Sequence, residues 1–93
     1  MLQVKILSYK SPQRFAVRRT LMAAQRVLRS TYPDFGMNIT EVKVLSEIEA
    51  YTHSIILPSL VVNEKLVCTG RFPKTDEVVG WLEAALKENE RLS

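Results

Sequence analysis

Apolar and polar residues alternate with period two in short stretches of this chain and recur at helical spacing in two longer ones. In Leu2–Leu7, Val4 and Ile6 alternate against Lys5, which predicts a first strand. A helix is predicted from Pro12 to Ser30 or Thr31. Val17, Leu21, Ala24 and Leu28 recur there at spacings of four, three and four as a buried stripe, widened by Ala16, Ala23 and Val27. Ser11 is the expected cap, and proline at the first helical position gives up a hydrogen bond that position does not make. Asn38–Leu45 reads as a second strand, with Val42 and Val44 facing one way and Glu41 and Lys43 the other. Ser46-Glu47-Ile48-Glu49 has the form of a capping box, opening a short helix that fades by His53.

The stretch Ile55-Ile56-Leu57-Pro58-Ser59-Leu60-Val61-Val62 is strand-like on both sides of a proline. Proline cannot donate to a ladder, so the chain bends at Leu57-Pro58 and the third strand runs from Ser59 to Val62. X-Pro bonds are where cis peptides occur. Asn63-Glu64 forms a tight turn, since asparagine tolerates the left-handed conformation a two-residue hairpin needs. Lys65–Thr69 is a fourth strand, with Leu66 and Cys68 on one side, facing inward. Beyond Gly70, Thr75 is placed as the cap of a last helix with Asp76 and Glu77 in its first turn. Val78, Leu82 and Ala85, with Trp81 and Leu86, face the interior, and Lys87–Ser93 frays. The order β-α-β-α-β-β-α predicts an α/β fold: a crossover unit beside a hairpin in a mixed four-stranded sheet with flanking helices, as a single domain over residues 1–93.

Composition changes this picture little. Hydrophobic residues make up 46% and charged residues 25%, ordinary for a globular chain. The N-terminal apolar stretch is short and interrupted by Lys5, unlike a signal peptide, and no apolar run is long enough for a membrane span, so a cytoplasmic location is expected. The lone cysteine, Cys68, agrees and excludes an internal disulfide. Charge is more informative. Residues 1–33 hold seven bases and no acid, whereas residues 34–93 hold six bases and ten acids. Arg14, Arg18, Arg29, Arg26 and Arg19 fall within an arc of about 140° on the first helix.

The element order, and above all Leu57-Pro58-Ser59-Leu60-Val61-Val62-Asn63-Glu64-Lys65-Leu66-Val67-Cys68-Thr69-Gly70-Arg71, resembles the thioredoxin-like superfamily and its small redox-active-disulfide proteins. The resemblance implies a thioredoxin-like fold, a cis Leu57-Pro58 bond and a site where the first strand hands over to the first helix. The family's Cys-x-x-Cys motif belongs there, because a helix N-terminus stabilises a thiolate. Here those positions read Ser11-Pro12-Gln13-Arg14. Serine has no comparable acidity or redox couple, and arginine replaces the second thiol, so dithiol oxidoreductase activity is not implied. Ser11-Pro12 and the helix after it also resemble the KaiB clock proteins, thioredoxin-like binding proteins without the cysteine pair.

The expected function is therefore a non-catalytic binding module. It takes a protein or peptide partner in the groove beside Pro58, with Ser11, Pro12, Gln13, Arg14 and Leu57 as the remaining site positions. Two other readings compete. One is a residual monothiol redox protein acting through Cys68, although free cysteines are most often small buried core residues. The other is nucleic-acid or acidic-partner binding through the arginine-rich helix. A helix N-terminus can also hold an anion, with Arg14 and Lys10 adding charge, though Pro12 removes one N–H. With His53 the only histidine and no cysteine pair, neither a metal nor a cofactor is expected, and no phosphate loop or nucleotide fingerprint is present.

Overall fold

The structure is a computed structural model that describes the backbone of residues 1–51 and 57–92, with side chains up to residue 89. His53, Ile55 and Ile56 lie outside the described residues, while the short helix ends at Glu49 with Ala50 as its cap, before His53 as expected. The elements are β1 (Leu2–Leu7), α1 (Ser11–Thr31), β2 (Met37–Val42), α2 (Leu45–Glu49), β3 (Ser59–Val62), β4 (Lys65–Thr69) and α3 (Thr75–Leu92). The strands form one mixed sheet in the order β2-β1-β3-β4, parallel between β1 and β2 and antiparallel elsewhere.

Alternation divides the side chains of β1 between two layers. Leu2, Val4 and Ile6 join Leu60 and Val62 against Val17, Leu21, Ala24 and Leu28 of α1 and Val78 and Leu82 of α3. This is the main core. Leu7, Val42 and Val61 meet Ile48 of α2 on the opposite face. β3 is buried on both sides, which is why its three residues after Ser59 read as an unbroken apolar run. Of the flanking α1 residues, Ala16 and Ala23 are half-buried as expected, but Val27 is 51% exposed.

Several helix and strand ends depart from expectation. Ser11 lies inside α1; Lys10 holds the cap position, and no side chain caps it. The Ser11 hydroxyl instead accepts a hydrogen bond from Arg14 Nη2 at 2.9 Å. β2 stops at Val42 because its ladder partner β1 turns away there, with the Ser8 N–H donating to the Val42 carbonyl. Val44 is therefore exposed rather than facing inward with Val42. The Val44 carbonyl accepts from the N–H groups of Glu47 and Ile48, so α2 begins at Leu45 and Ser46 caps nothing. Thr75 is likewise the first residue of α3, and Glu77 reaches back to accept the Lys74 N–H at 3.0 Å. The helix continues to Leu92 rather than fraying from Lys87.

A register shift lies between Leu60 and Val61 of β3: Leu60 pairs with Cys68, but Val61 pairs with Leu66. The extra residue opposite reverses the alternation of β4. Cys68 faces the main core, while Leu66 turns to the other face and is 39% exposed, so the two do not share a side. The turn itself is as expected, with Asn63 and Glu64 both left-handed at φ 47° and 68°.

Candidate functional site

β1 ends at Leu7, which pairs with Ser59, the first residue of β3. One step further along this antiparallel ladder, Ser8 comes level with Pro58. The start of α1 and the Leu57–Pro58 bend therefore share one end of the sheet. The Leu57–Pro58 peptide is cis, Pro58 is buried, and its carbonyl accepts the Gly70 N–H at 3.0 Å. Gly70 is left-handed at φ 76°, a conformation that favours glycine where the chain leaves β4 for α3. Ser59 Oγ and Thr69 Oγ1 lie 2.9 Å apart just inside this rim.

The β1–α1 connection is held by polar groups that the sequence did not single out. Ser8 is fully buried. Its hydroxyl accepts the Lys10 N–H at 3.0 Å and lies 2.6 Å from Gln13 Oε1. Arg14 Nη1 donates to the Ser8 carbonyl at 3.1 Å, and its Nε donates to Glu41 Oε1 at 2.9 Å. Arg18 binds the other oxygen of Glu41 at 2.8 Å. Glu41 thus pairs with two members of the arginine arc at once. Burial works to raise the Glu41 pKa, but hydrogen bonds from Arg18 and Arg14 outweigh it and hold the carboxyl below its usual range. Arg14, with only 11% of its side chain exposed, fixes the loop and the first turn. Nothing in the sequence pairs Glu41 with residues 27 and 23 positions earlier; the parallel register of β1 and β2 does.

The rest of the arginine arc is divided. Arg29 Nε donates to the Phe35 carbonyl at 3.0 Å. Arg19 and Arg26 are exposed and make no ion pair among the described residues. Cys68 lies under the helices, 6% exposed, with its Sγ 3.6 Å from the Arg71 carbonyl as a donor. Burial pushes its thiol pKa up, partly offset by the nearby Arg71 guanidinium. No group of three or more metal-ligating side chains comes together among the described residues.

The loops at the Pro58 end carry four of the molecule's exposed large hydrophobic residues: Tyr9 (56%), Val44 (54%), Leu45 (45%) and Phe72 (53%). Each follows a strand that ends there: β1, β2 and β4. Two half-open grooves lie at the opposite end. One, of about 430 Å³, is lined by Val62, Lys65, Val67 and Trp81 among others; the second, of about 510 Å³, by Leu2, Tyr32 and Phe35. Among the described residues, the Pro58 end is rimmed by apolar side chains.

The family model for the thioredoxin domain matches residues 4–83. The chain belongs to the thioredoxin-domain family. The match runs from β1 into α3 and takes in both Ser11–Arg14 and the Leu57–Pro58 bend. No curated protein and no solved structure gave a match. No helix among the described residues is long and apolar enough to cross a membrane.

Proposed function

We propose that this thioredoxin-domain protein is a non-catalytic binding module that takes a protein or peptide partner on the end of the sheet bounded by Ser11, Pro12, Gln13 and Arg14 and by Leu57–Pro58. The observation that carries this reading is the set of exposed apolar side chains, Tyr9, Val44, Leu45 and Phe72, on the loops around that end. Solvent-facing aromatics beside a buried, fully hydrogen-bonded frame suit recognition of a partner that brings its own apolar side chains. Chemistry by a dithiol has no support at these positions. Ser11 Oγ accepts a hydrogen bond from Arg14, and Arg14 is itself bound to Glu41.

The test is to pan a random peptide library against the wild-type chain and against Tyr9→Ala/Phe72→Ala, then follow backbone NMR shifts. Selected peptides should perturb residues around Ser11, Pro58 and Gly70, and their affinity should fall about tenfold or more in the double variant. An insulin-disulfide assay should show no turnover. Reductase activity that disappears in Cys68→Ser would refute the reading in favour of a monothiol enzyme.

A further inference from the structure

We propose that the chain self-associates as a two-fold dimer through the outer face of the layer formed by α1 and α3. The two helices pack side by side over the same face of the sheet, sharing the main core. Their outer faces point away from it. On α1 that face carries Phe15, 68% exposed, Met22, 44% exposed, and Arg19 and Arg26, which make no ion pair among the described residues. These four positions recur at spacings of four, three and four, opposite the buried Val17–Leu28 stripe. On α3, Asp76, Gly80, Ala84 and Glu88 are exposed at spacings of four.

Three observations favour a second copy as the occupant. The first is charge. The outer face of α1 presents Arg19 and Arg26 with no acid, whereas that of α3 presents Asp76 and Glu88; Glu77 is already paired with Arg71, and Glu83 accepts from the Tyr32 hydroxyl. A two-fold axis running along the helices sets each α1 on the second copy's α3, bringing arginines onto acids twice. A two-fold running across them would set α1 on α1, arginine against arginine. Complementarity therefore selects the first arrangement.

The second is Gly80. Glycine inside a helix costs about 1 kcal/mol relative to alanine. Nothing lies within 4 Å of where its Cβ would stand, so packing within the chain does not require it. Gly80 and Ala84 leave a shallow seat on α3 where another helix can approach closely, and where the second copy's Phe15 and Met22 would find cover. The third is area. The outer side of the two-helix layer is about 31 Å long, from the 21 residues of α1, and about 20 Å wide. That gives roughly 600 Å² per partner, somewhat below the roughly 800 Å² of a standard interface. Because most of that side must be used and much of the attraction is between exposed charges, the dimer should be weak and salt-sensitive.

The test is sedimentation of the full chain from micromolar to millimolar concentration at low and high salt. The wild type should dimerise at low salt and dissociate as salt rises. Arg19→Glu/Arg26→Glu should weaken association about tenfold or more, and adding Asp76→Lys/Glu88→Lys to the same chain should restore it. Gly80→Gln should raise thermal stability yet weaken association, a combination that a purely internal role for Gly80 would not give. A wild type that stays monomeric at millimolar concentration and low salt overturns the proposal. So does a dimer that Arg19→Glu/Arg26→Glu and Gly80→Gln leave unchanged. Should the charge-reversed chain lose its helical signal, Gly80→Gln alone decides between these outcomes.

Discussion

Glu41 is the residue on which the start of α1 depends. It bonds both Arg14 and Arg18, and Arg14 in turn holds the Ser8 carbonyl and the Ser11 hydroxyl. Replacing it leaves the mostly buried Arg14 guanidinium without its counter-charge. Glu41→Gln is expected to cost about 1–3 kcal/mol, lowering the melting temperature by several degrees. The same residue sets a pH dependence. Glu41 is held below its usual pKa, and Glu77 falls from 4.5 to about 2 through Arg71 and the Lys74 N–H. A depressed carboxylate binds fewer protons folded than unfolded. Its stabilisation is complete above 4.5 and is lost as pH falls toward the folded value. Urea midpoints should stay level from neutral pH to about 5 and then drop, less steeply in Glu41→Gln and Glu77→Gln. Cys68 gives a further prediction. Buried and with a raised pKa, it should react with iodoacetamide more than about 100-fold slower in the native chain than in urea. Fast native labelling would instead favour the monothiol reading.

The β3–β4 hairpin is the element where local and long-range effects separate. Glu64 sits at φ 68°, which costs a residue with a side chain about 1–2 kcal/mol relative to glycine. Its return is an ion pair with Lys5 at 2.8 Å, but the Glu64 side chain is 67% exposed, and such pairs contribute about 0–1 kcal/mol. Backbone strain is the larger effect, so Glu64→Gly should stabilise the fold by up to about 1 kcal/mol, read as a melting temperature higher by a few degrees. Asn63 behaves oppositely. It tolerates the left-handed turn, its Oδ1 accepts the Gln3 N–H at 2.9 Å, and its own N–H donates to the Gln3 carbonyl at 2.8 Å. The turn is thereby tied to β1, which makes it a poor place for substitution. The register shift two residues further on decides that Cys68, not Leu66, meets the helices.

At the scale of the whole molecule, the two faces of the sheet are covered unequally. α1 and α3 bury one face over their length, whereas the five-residue α2 covers part of the other. Lys5 fills some of the remainder, with Nζ 2.7 Å from the Tyr51 hydroxyl and 4.7 Å from its ring centroid. Stability therefore rests on the α1–α3 side. Leu82→Ala, which opens a cavity at a fully buried position there, should cost about 2–5 kcal/mol. Against a total of about 5–15 kcal/mol for a domain of this kind, that brings the chain close to unfolding at ambient temperature, measurable by urea titration. The same asymmetry separates binding from architecture. Exposed apolar residues gather at the Pro58 end, and the outer helix layer carries Arg19 and Arg26, which make no ion pair among the described residues.

Period-two and period-3.6 patterning carried the fold, because burial of one face of each element is written into the spacing of Val4 and Ile6, of Val17 to Leu28, and of Val78, Leu82 and Ala85. The proline at position 58 and the Asn63-Glu64 turn marked where β3 starts and ends, since each acts through its own backbone. The replacement of both thiols by Ser11 and Arg14 was likewise legible from residue type alone. What Arg14 does was not. Its partner Glu41 is brought to it by the parallel pairing of β1 and β2, and its low exposure follows from that distant contact. The caps assigned to Ser11, Ser46 and Thr75 were displaced for the same kind of reason: competing partners, visible only in three dimensions, satisfied the groups those side chains were expected to serve. Sequence determined which elements form and which residue types stand at the start of α1. Tertiary structure alone decided that the first turn of α1 is locked from within, because a hydrogen bond depends on where two chains of atoms meet and not on how far apart they stand along one.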